Sequence, residues 1–339
     1  MPRKKRGPAP VSQIQRRRMD EQQQRRVARH DEETAREVAP REGEENGAQG
    51  QREGVVITHY GFNVEVEDSQ GRRRCALREN LPENPVCGDR VLWRPEGSHQ
   101  GVVLGILPRR TVLRRPGPWE EMRAVAANVD RMMITTTGAC LNPNLVDRYL
   151  VAAHERGIEP VIVVNKLDEP HDADYLATEL SVYADLGYEV VLTSALRRAG
   201  LGDLRREVAG RISVFVGPSG VGKSSLITAL VPGLEITVNT VNQVTGRGRH
   251  TTTVTRLYAL PGGGGLIDSP GIRALGLEQV PPERVPHLFR DIAPFLGQCR
   301  FSDCTHDHEP DCAVLAAVDA GVIHPRRLES LHRILEGLA

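Results

Sequence analysis

The sequence predicts an α/β protein in three folded parts: a small β-barrel, a sheet of largely parallel strands interleaved with helices, and a mainly helical C-terminal segment. Three observations predict this. Short β-like runs separated by turn residues crowd residues 54–108, apolar strand-like and helix-like runs alternate from residue 116 onward, and Cys299, Cys304 and Cys312 fall within 14 residues. At about 150 residues per domain, a chain of 339 residues predicts two to three domains. Apolar residues at 39% and charged residues at 26% are globular values. No apolar run reaches the roughly 18 residues of a membrane-spanning helix, and the basic Met1–Arg6 stretch is not followed by the apolar region of a secretory signal. A cytoplasmic protein with no membrane association is expected, and six cysteines are too few for a disulfide scaffold.

Residues 1–53 form a basic arm that reads as disordered when alone, because Ile14, Met19, Val27 and Val38 cannot build a core. Residues 1–30 carry ten Lys and Arg against Asp20 and Glu21, and an acidic stretch follows at 31–45. The overall balance of 44 basic and 44 acidic residues does not argue against a nucleic-acid partner, since attraction follows local charge density. A solubilising tail is the alternative.

Residues 54–115 are expected to form the barrel, with strands at 55–58, 62–67, 72–77, 90–93 and 102–107. Phe62, Val64 and Val66 alternate with Asn63, Glu65 and Glu67, as in a strand with one buried face. An OB-type barrel is the first choice and an SH3-like barrel the alternative.

Residues 116–275 alternate: strand 129–136, helix 145–156, strand 160–164, helix 173–186, strand 189–193, strand 211–216, helix 223–230, then strands 254–260 and 265–268. Such alternation predicts a largely parallel sheet. In residues 276–339, helices are expected at 313–320 and 325–338. Leu328, Leu331, Ile334, Leu335 and Leu338 make one apolar stripe that needs a surface to cover.

The octapeptide Gly217-Pro218-Ser219-Gly220-Val221-Gly222-Lys223-Ser224, with Ser225 next, fits the phosphate-loop pattern GxxxxGKS between an apolar strand and a helix. Glycines let backbone amides turn inward onto anionic oxygens. Lys223 would reach the β and γ phosphates, Ser224 would bind Mg2+, and the helix N-terminus adds positive potential. A chance match in a chain of this length is about a 1% event at average glycine usage.

The base follows from Asn165-Lys166-Leu167-Asp168, an NKxD at the end of an apolar strand. The Asp168 carboxylate would accept from the N1 and N2 donors of guanine, whereas adenine would leave it unpaired, so GTP and GDP are the expected ligands. Asn165 can tie this loop to the phosphate loop, Lys166 can lay its stem over the ring, and Thr193-Ser194-Ala195 would support the base. The chain has four lysines, Lys4, Lys5, Lys166 and Lys223, so half of them sit in these two motifs. A compact ammonium fits the phosphate pocket where a guanidinium does not.

Asp268-Ser269-Pro270-Gly271 fits DxxG after a buried strand, with Asp268 placed to hold Mg2+ through water and the Gly271 amide to sense the γ phosphate. His250-Thr251-Thr252-Thr253, after a Gly-rich segment, would offer one threonine to Mg2+; the residue types do not choose which. The position after DxxG, where glutamine orients water in many GTPases, is Ile272, so slow intrinsic turnover is expected with His250 the candidate replacement.

The motif order is NKxD, TSA, GxxxxGKS, threonine loop, DxxG, a circular permutation of the usual GTPase order. A sheet depends on which strands are neighbours, so it can still close. With these motifs, the Asp147-Arg148-Tyr149-Leu150 tract and the Cys299, Cys304, His306 and Cys312 cluster, the chain from residue 54 to 338 resembles the ribosome small subunit-dependent GTPases, the RsgA family. The resemblance implies an OB barrel, a circularly permuted P-loop GTPase domain and a zinc domain. It further implies a GTPase, a monomer, whose slow hydrolysis is stimulated by the 30S ribosomal subunit and its 16S rRNA during late maturation of that subunit.

Cys299, Cys304, His306 and Cys312 supply three thiolates and an imidazole, a set suited to a tetrahedral structural Zn2+ with no open position. His308 competes by sequence alone; the family pattern favours His306. Cys75, Cys87 and Cys140 are expected to be packed residues, and Arg290, Arg300, Arg326, Arg327 and Arg333 to face RNA phosphates or solvent. The competing functional readings are an RNA-binding module in which GTP is only structural, and an ATPase or small-molecule kinase, which Asp168 disfavours.

Overall fold

Alternation in the first strands buries Val64 and Val66, but Phe62, expected on the same face, is 57% exposed because the strand starts only at Asn63. A computed structural model describes residues 50–97, 99–116, 122–231, 233–234, 255–268, 277 and 280–338. The arm of residues 1–49, the His250 to Thr253 loop, Gly271 and Ile272 lie outside the described residues. Strands β1 (Arg52–His59), β2 (Asn63–Asp68), β3 (Gly71–Leu77), β4 (Arg90–Glu96) and β5 (Gln100–Ile106) pair in the order β1-β2-β3-β5-β4 and close through β1–β4. All pairs are antiparallel except β3–β5. This Greek-key closure is that of an OB barrel. Val56, Val64, Val66, Cys75, Val91, Trp93 and Val103 fill it. Trp93 fits because Gly101 presents no side chain: a Cβ there would lie 2.7 Å from the indole.

The second part holds β8 (Arg131–Thr137), α1 (Pro143–Glu155), β9 (Glu159–Asn165), α2 (Ala173–Asp185), β10 (Glu189–Leu192), α3 (Leu201–Val208), β11 (Ile212–Val216), α4 (Lys223–Leu230), β12 (Arg256–Ala259) and β13 (Gly265–Asp268). Its strands run β10-β9-β8-β11-β13-β12, parallel except for β12. The hairpin β6 (Val112–Pro116) and β7 (Met122–Ala127) escaped sequence reading because Arg114, Arg115 and Arg123 mask its alternation; it delivers Leu113 and Ala126 to the α/β core. Helix α3 escaped for a similar reason, being eight residues long with Arg205 and Arg206 in its last turn.

Barrel and α/β sheet are one continuous sheet, joined where β1 pairs with β12 through Thr58 and Arg256. Beside this joint, the β1–β2 ladder shifts register between Val56 and Thr58. Successive strand side chains point to opposite faces: Val56 enters the barrel core, while Ile57, with Val55, faces the α/β core.

The C-terminal part packs short 3-10 turns and helices α5 (Ala313–Asp319) and α6 (Pro325–Glu336) around Val285, Phe289, Ile292, Val314, Leu328, Leu331 and Ile334. The surface that the apolar stripe of α6 covers includes Val151 and Ala152 of α1. Two arginines expected to face RNA or solvent are instead part of this joint. Arg327 is 1% exposed and bonds Asp147 of α1 and Asp291; Arg326 pairs with Asp147 and Glu179 and donates to the Tyr183 hydroxyl. Burial works against the Arg327 charge, but Asp147 and Asp291 outweigh it and hold the guanidinium protonated. Arg290 lies 4.1 Å over the Tyr188 ring and donates to the carbonyls of Leu186 and Gly187. Cys75 and Cys87 are buried as expected, but Cys140 is exposed, since it ends a short 3-10 turn at the top of β8.

Candidate functional site

In the sheet β9 and then β10 lie on one side of β8, and β11, β13 and β12 follow on the other. Where strand order reverses, the loops beyond the strand carboxyl ends diverge and leave a crevice, the usual ligand position of an open α/β sheet. The phosphate loop leaves β11 there. Gly217 turns at φ +133°, so close to β8 that a Cβ would sit 2.2 Å from the Thr135 carbonyl oxygen. Gly222, at φ +93°, is the residue before α4, whose first-turn amides have no partner within the helix and carry positive potential. The Lys223 ammonium donates to the carbonyls of Gly217 (2.7 Å) and Pro218 (2.5 Å), which lays its stem along the loop. Pro218, Ser219, Gly220 and Ser225 are exposed, Ser224 is half-buried, and Val221 is buried under the loop.

The NKxD tetrapeptide meets this loop from β9. Asn165 is 1% exposed; its Nδ2 donates to the Val221 carbonyl at 2.9 Å, and its Oδ1 accepts from the Ala195 amide at 3.0 Å and the Thr193 hydroxyl at 3.3 Å. One buried amide thus links three loops. Gly222 allows the approach, because a Cβ there would lie 2.3 Å from Asn165 Nδ2. Lys166 takes a left-handed φ of +62° and donates to Glu169 at 2.9 Å. The Leu167 amide donates to the Thr193 carbonyl at 3.2 Å.

Ser194 does more than sequence reading assigned to it. Its hydroxyl donates to the Asp168 carboxylate and accepts from the Arg197 amide at 3.0 Å. That hydroxyl, ahead of the charges of Arg197 and Lys166, holds the Asp168 pKa below its ordinary value, so the group is a carboxylate at neutral pH. The signal for it was the Thr193-Ser194 hydroxyl pair at a strand end. Asp268 ends β13, which lies beside β11 in parallel register, so it sits at the same end of the sheet as the phosphate loop. The sequence-assigned His250, Thr251, Thr252, Thr253 and Gly271 are outside the described residues.

Cys299, Cys304, His306 and Cys312 converge with all four ligand atoms within 4.8 Å of one another. The Cys299 and Cys312 sulfurs are 3.8 Å apart, and His306 Nδ1 is 3.5 and 3.4 Å from them. A tetrahedral ion with bonds of about 2.0–2.3 Å sets its ligand atoms about 3.4–3.8 Å apart, so this set fits zinc. His306 reaches the cluster through a left-handed φ of +63°, while His308 is exposed with its Nδ1 against Asp307.

Comparison with known proteins agrees with this geometry. Residues 106–278 match the family model described as RsgA GTPase. The chain is 44% identical over 325 residues to a Pseudomonas aeruginosa protein named small ribosomal subunit biogenesis GTPase RsgA, covering 95% of each chain. An Azotobacter vinelandii protein of the same name is 44% identical over 329 residues, again covering 95% of both. Among solved structures, YjeQ from Thermotoga maritima superposes with a TM-score of 0.70 at 34% identity, covering 85% of this chain and 98% of that one. YloQ, described as a circularly permuted GTPase, superposes with a TM-score of 0.70 at 25% identity, covering 87% and 98%. A permuted sheet whose base loop precedes its phosphate loop, matched along nearly the whole chain by these relatives, makes this protein a member of the RsgA GTPase family and a GTP hydrolase.

Proposed function

We propose that this protein assists assembly of the small ribosomal subunit by binding it in the GTP state and leaving after hydrolysis. The observation carrying the nucleotide half is the Asn165 side chain bonded at once to the phosphate loop and to the Ala195 amide. The ribosomal half rests on relatives that span nearly the whole chain and bear that activity in their names.

In this reading Asp168, kept ionised by Ser194, accepts from N1 and N2 of guanine, and Lys166 covers the ring. Backbone amides from Gly220 to Ser224, with Lys223, bind the phosphates. Ser224 and Asp268 would hold Mg2+, which supplies charge neutralisation at the β and γ phosphates. Attack by water on the γ phosphorus breaks its bond to the β–γ bridging oxygen and yields GDP and phosphate. With Ile272 following the DxxG, the chain has no glutamine there to orient that water, so intrinsic turnover is slow and His250 takes the role on the 30S subunit. Cys299, Cys304, His306 and Cys312 would hold one structural Zn2+. The protein acts as a cytoplasmic monomer on 16S rRNA; among the described residues no helix is long and apolar enough to cross a membrane.

The test is GTP turnover with and without purified 30S subunits, with Lys223→Ala as the control for contaminating activity. Stimulation that disappears in the control is expected. Equal rates with and without subunits would leave an RNA-binding module in which GTP is only structural.

A further inference from the structure

His306 joins the three cysteines from a backbone conformation that a side chain disfavours, a left-handed φ of +63°. Its neighbours Thr305, Asp307 and His308 are exposed, so core packing does not hold this turn.

One carboxylate does. Oε1 of Glu309 accepts from the Thr305 amide at 2.6 Å and from the Thr305 hydroxyl at 2.5 Å. Its Oε2 accepts from the Asp307 amide at 3.0 Å and the His308 amide at 3.2 Å. The amides on either side of His306 therefore converge on the two oxygens of a single group, and hydrogen bonds to an ionised carboxylate are about twice as strong as neutral ones. The same bonds separate the two histidines. His306 Nδ1 faces the Cys299 and Cys312 sulfurs, whereas His308, with its amide on Oε2, has its ring turned to Asp307. Glu309 itself is not one of the four converging ligands.

We propose that Glu309 is the positioning residue of this metal loop, its carboxylate holding the Thr305 and Asp307 amides so that His306 Nδ1 stays on the zinc and His308 stays outside. The inference rests on the zinc reading above. Glu309 acts on the metal through His306, and a loop already held in the binding conformation loses less freedom when the ion arrives.

The experiment measures Kd for Zn2+ on the full chain, by competition with a chromogenic chelator, in wild type, Glu309→Gln, His306→Ala and the double variant. Glutamine keeps the length of the side chain but turns an N–H2 group towards amide donors. Zinc is expected to bind about ten- to a hundredfold more weakly in Glu309→Gln, the range for losing a group that orients a metal ligand. In the His306→Ala background the same change should alter Kd by no more than about twofold, because the residue through which Glu309 acts is gone. A merely structural role for Glu309 would weaken binding equally in both backgrounds. That outcome, or an unchanged Kd in Glu309→Gln, overturns the proposal. Wild type that takes up no zinc overturns the zinc reading and this inference with it. Should a variant not fold, hydrogen exchange of zinc-loaded wild type decides: Thr305 and Asp307 amides that exchange more slowly than in an unstructured peptide support the proposal, and amides that exchange at that rate overturn it.

Discussion

Arg327 and Asp291 face each other as two parallel hydrogen bonds, Nε to Oδ2 and Nη2 to Oδ1, both 2.9 Å, inside the C-terminal part. The third nitrogen of the same guanidinium reaches across to Asp147 of α1. A planar five-donor group is the one side chain able to serve two carboxylates in this way. The last helix of the chain is thereby joined to the helix that follows the central strand β8, and the ring of Phe289 lies 4.6 Å from the guanidinium carbon.

Arg327→Met is expected to destabilise the protein by about 3–5 kcal/mol, because it leaves Asp147 and Asp291 buried without their counter-charge. Urea unfolding followed by helical circular dichroism checks this. A loss below about 1 kcal/mol would mean that the pair contributes no more than a surface bridge.

Asp168→Asn should weaken GDP binding by about a hundredfold or more, since the amide presents a donor to the N1 and N2 donors of guanine. Xanthine carries a carbonyl at C2 in place of the amine and accepts from that amide. Competition titrations should show XDP displacing GDP as the preferred ligand of the variant.

Gly222→Ala combines two faults. The residue must hold φ +93°, and its new Cβ would meet Asn165 Nδ2 at 2.3 Å. Left-handed strain of about 1–2 kcal/mol and a lost hydrogen bond of about 1 kcal/mol predict roughly 30- to 160-fold weaker GDP binding. Isothermal titration is the measurement, and wild-type affinity in the variant would contradict the contact.

His154 bonds the Tyr188 hydroxyl at 3.0 Å, and burial, then the charge of Arg290, push its pKa from 6.5 down to about 4 against the opposing pull of Glu159. The unfolded chain therefore binds the proton more readily than the folded one. Its contribution to stability is complete above pH 6.5 and is lost as pH falls from 6.5 towards 4. Melting temperatures across that window should fall more steeply for wild type than for His154→Gln; parallel curves would rule out this linkage.

Elemental analysis of purified protein should find one zinc per chain, and Cys304→Ser should lose it. Because the ligands border the core that includes Cys312, Val314 and Phe289, chelation should lower the unfolding temperature of the C-terminal helices. A chelated protein that melts as before would separate the cluster from stability.

What the sequence by itself determined was local chemistry. Glycine spacing encodes a phosphate cradle because it acts on backbone angles within a few residues. Period-two and helical patterns mark most strands and helices, and three cysteines and a histidine within 14 residues mark a metal cluster without reference to distant chain. Tertiary structure alone decided how the parts join: Ile57 placed in the neighbouring core, Thr58 opposite Arg256, Ser194 against Asp168, and Arg327 buried instead of facing RNA or solvent. An arginine in an exposed-looking helix face reads as solvated unless its counter-charges are known. Here those counter-charges, Asp147 and Asp291, lie 180 and 36 positions away, beyond the reach of any periodicity. The energy that buries the charge exists only once the chain has brought them together.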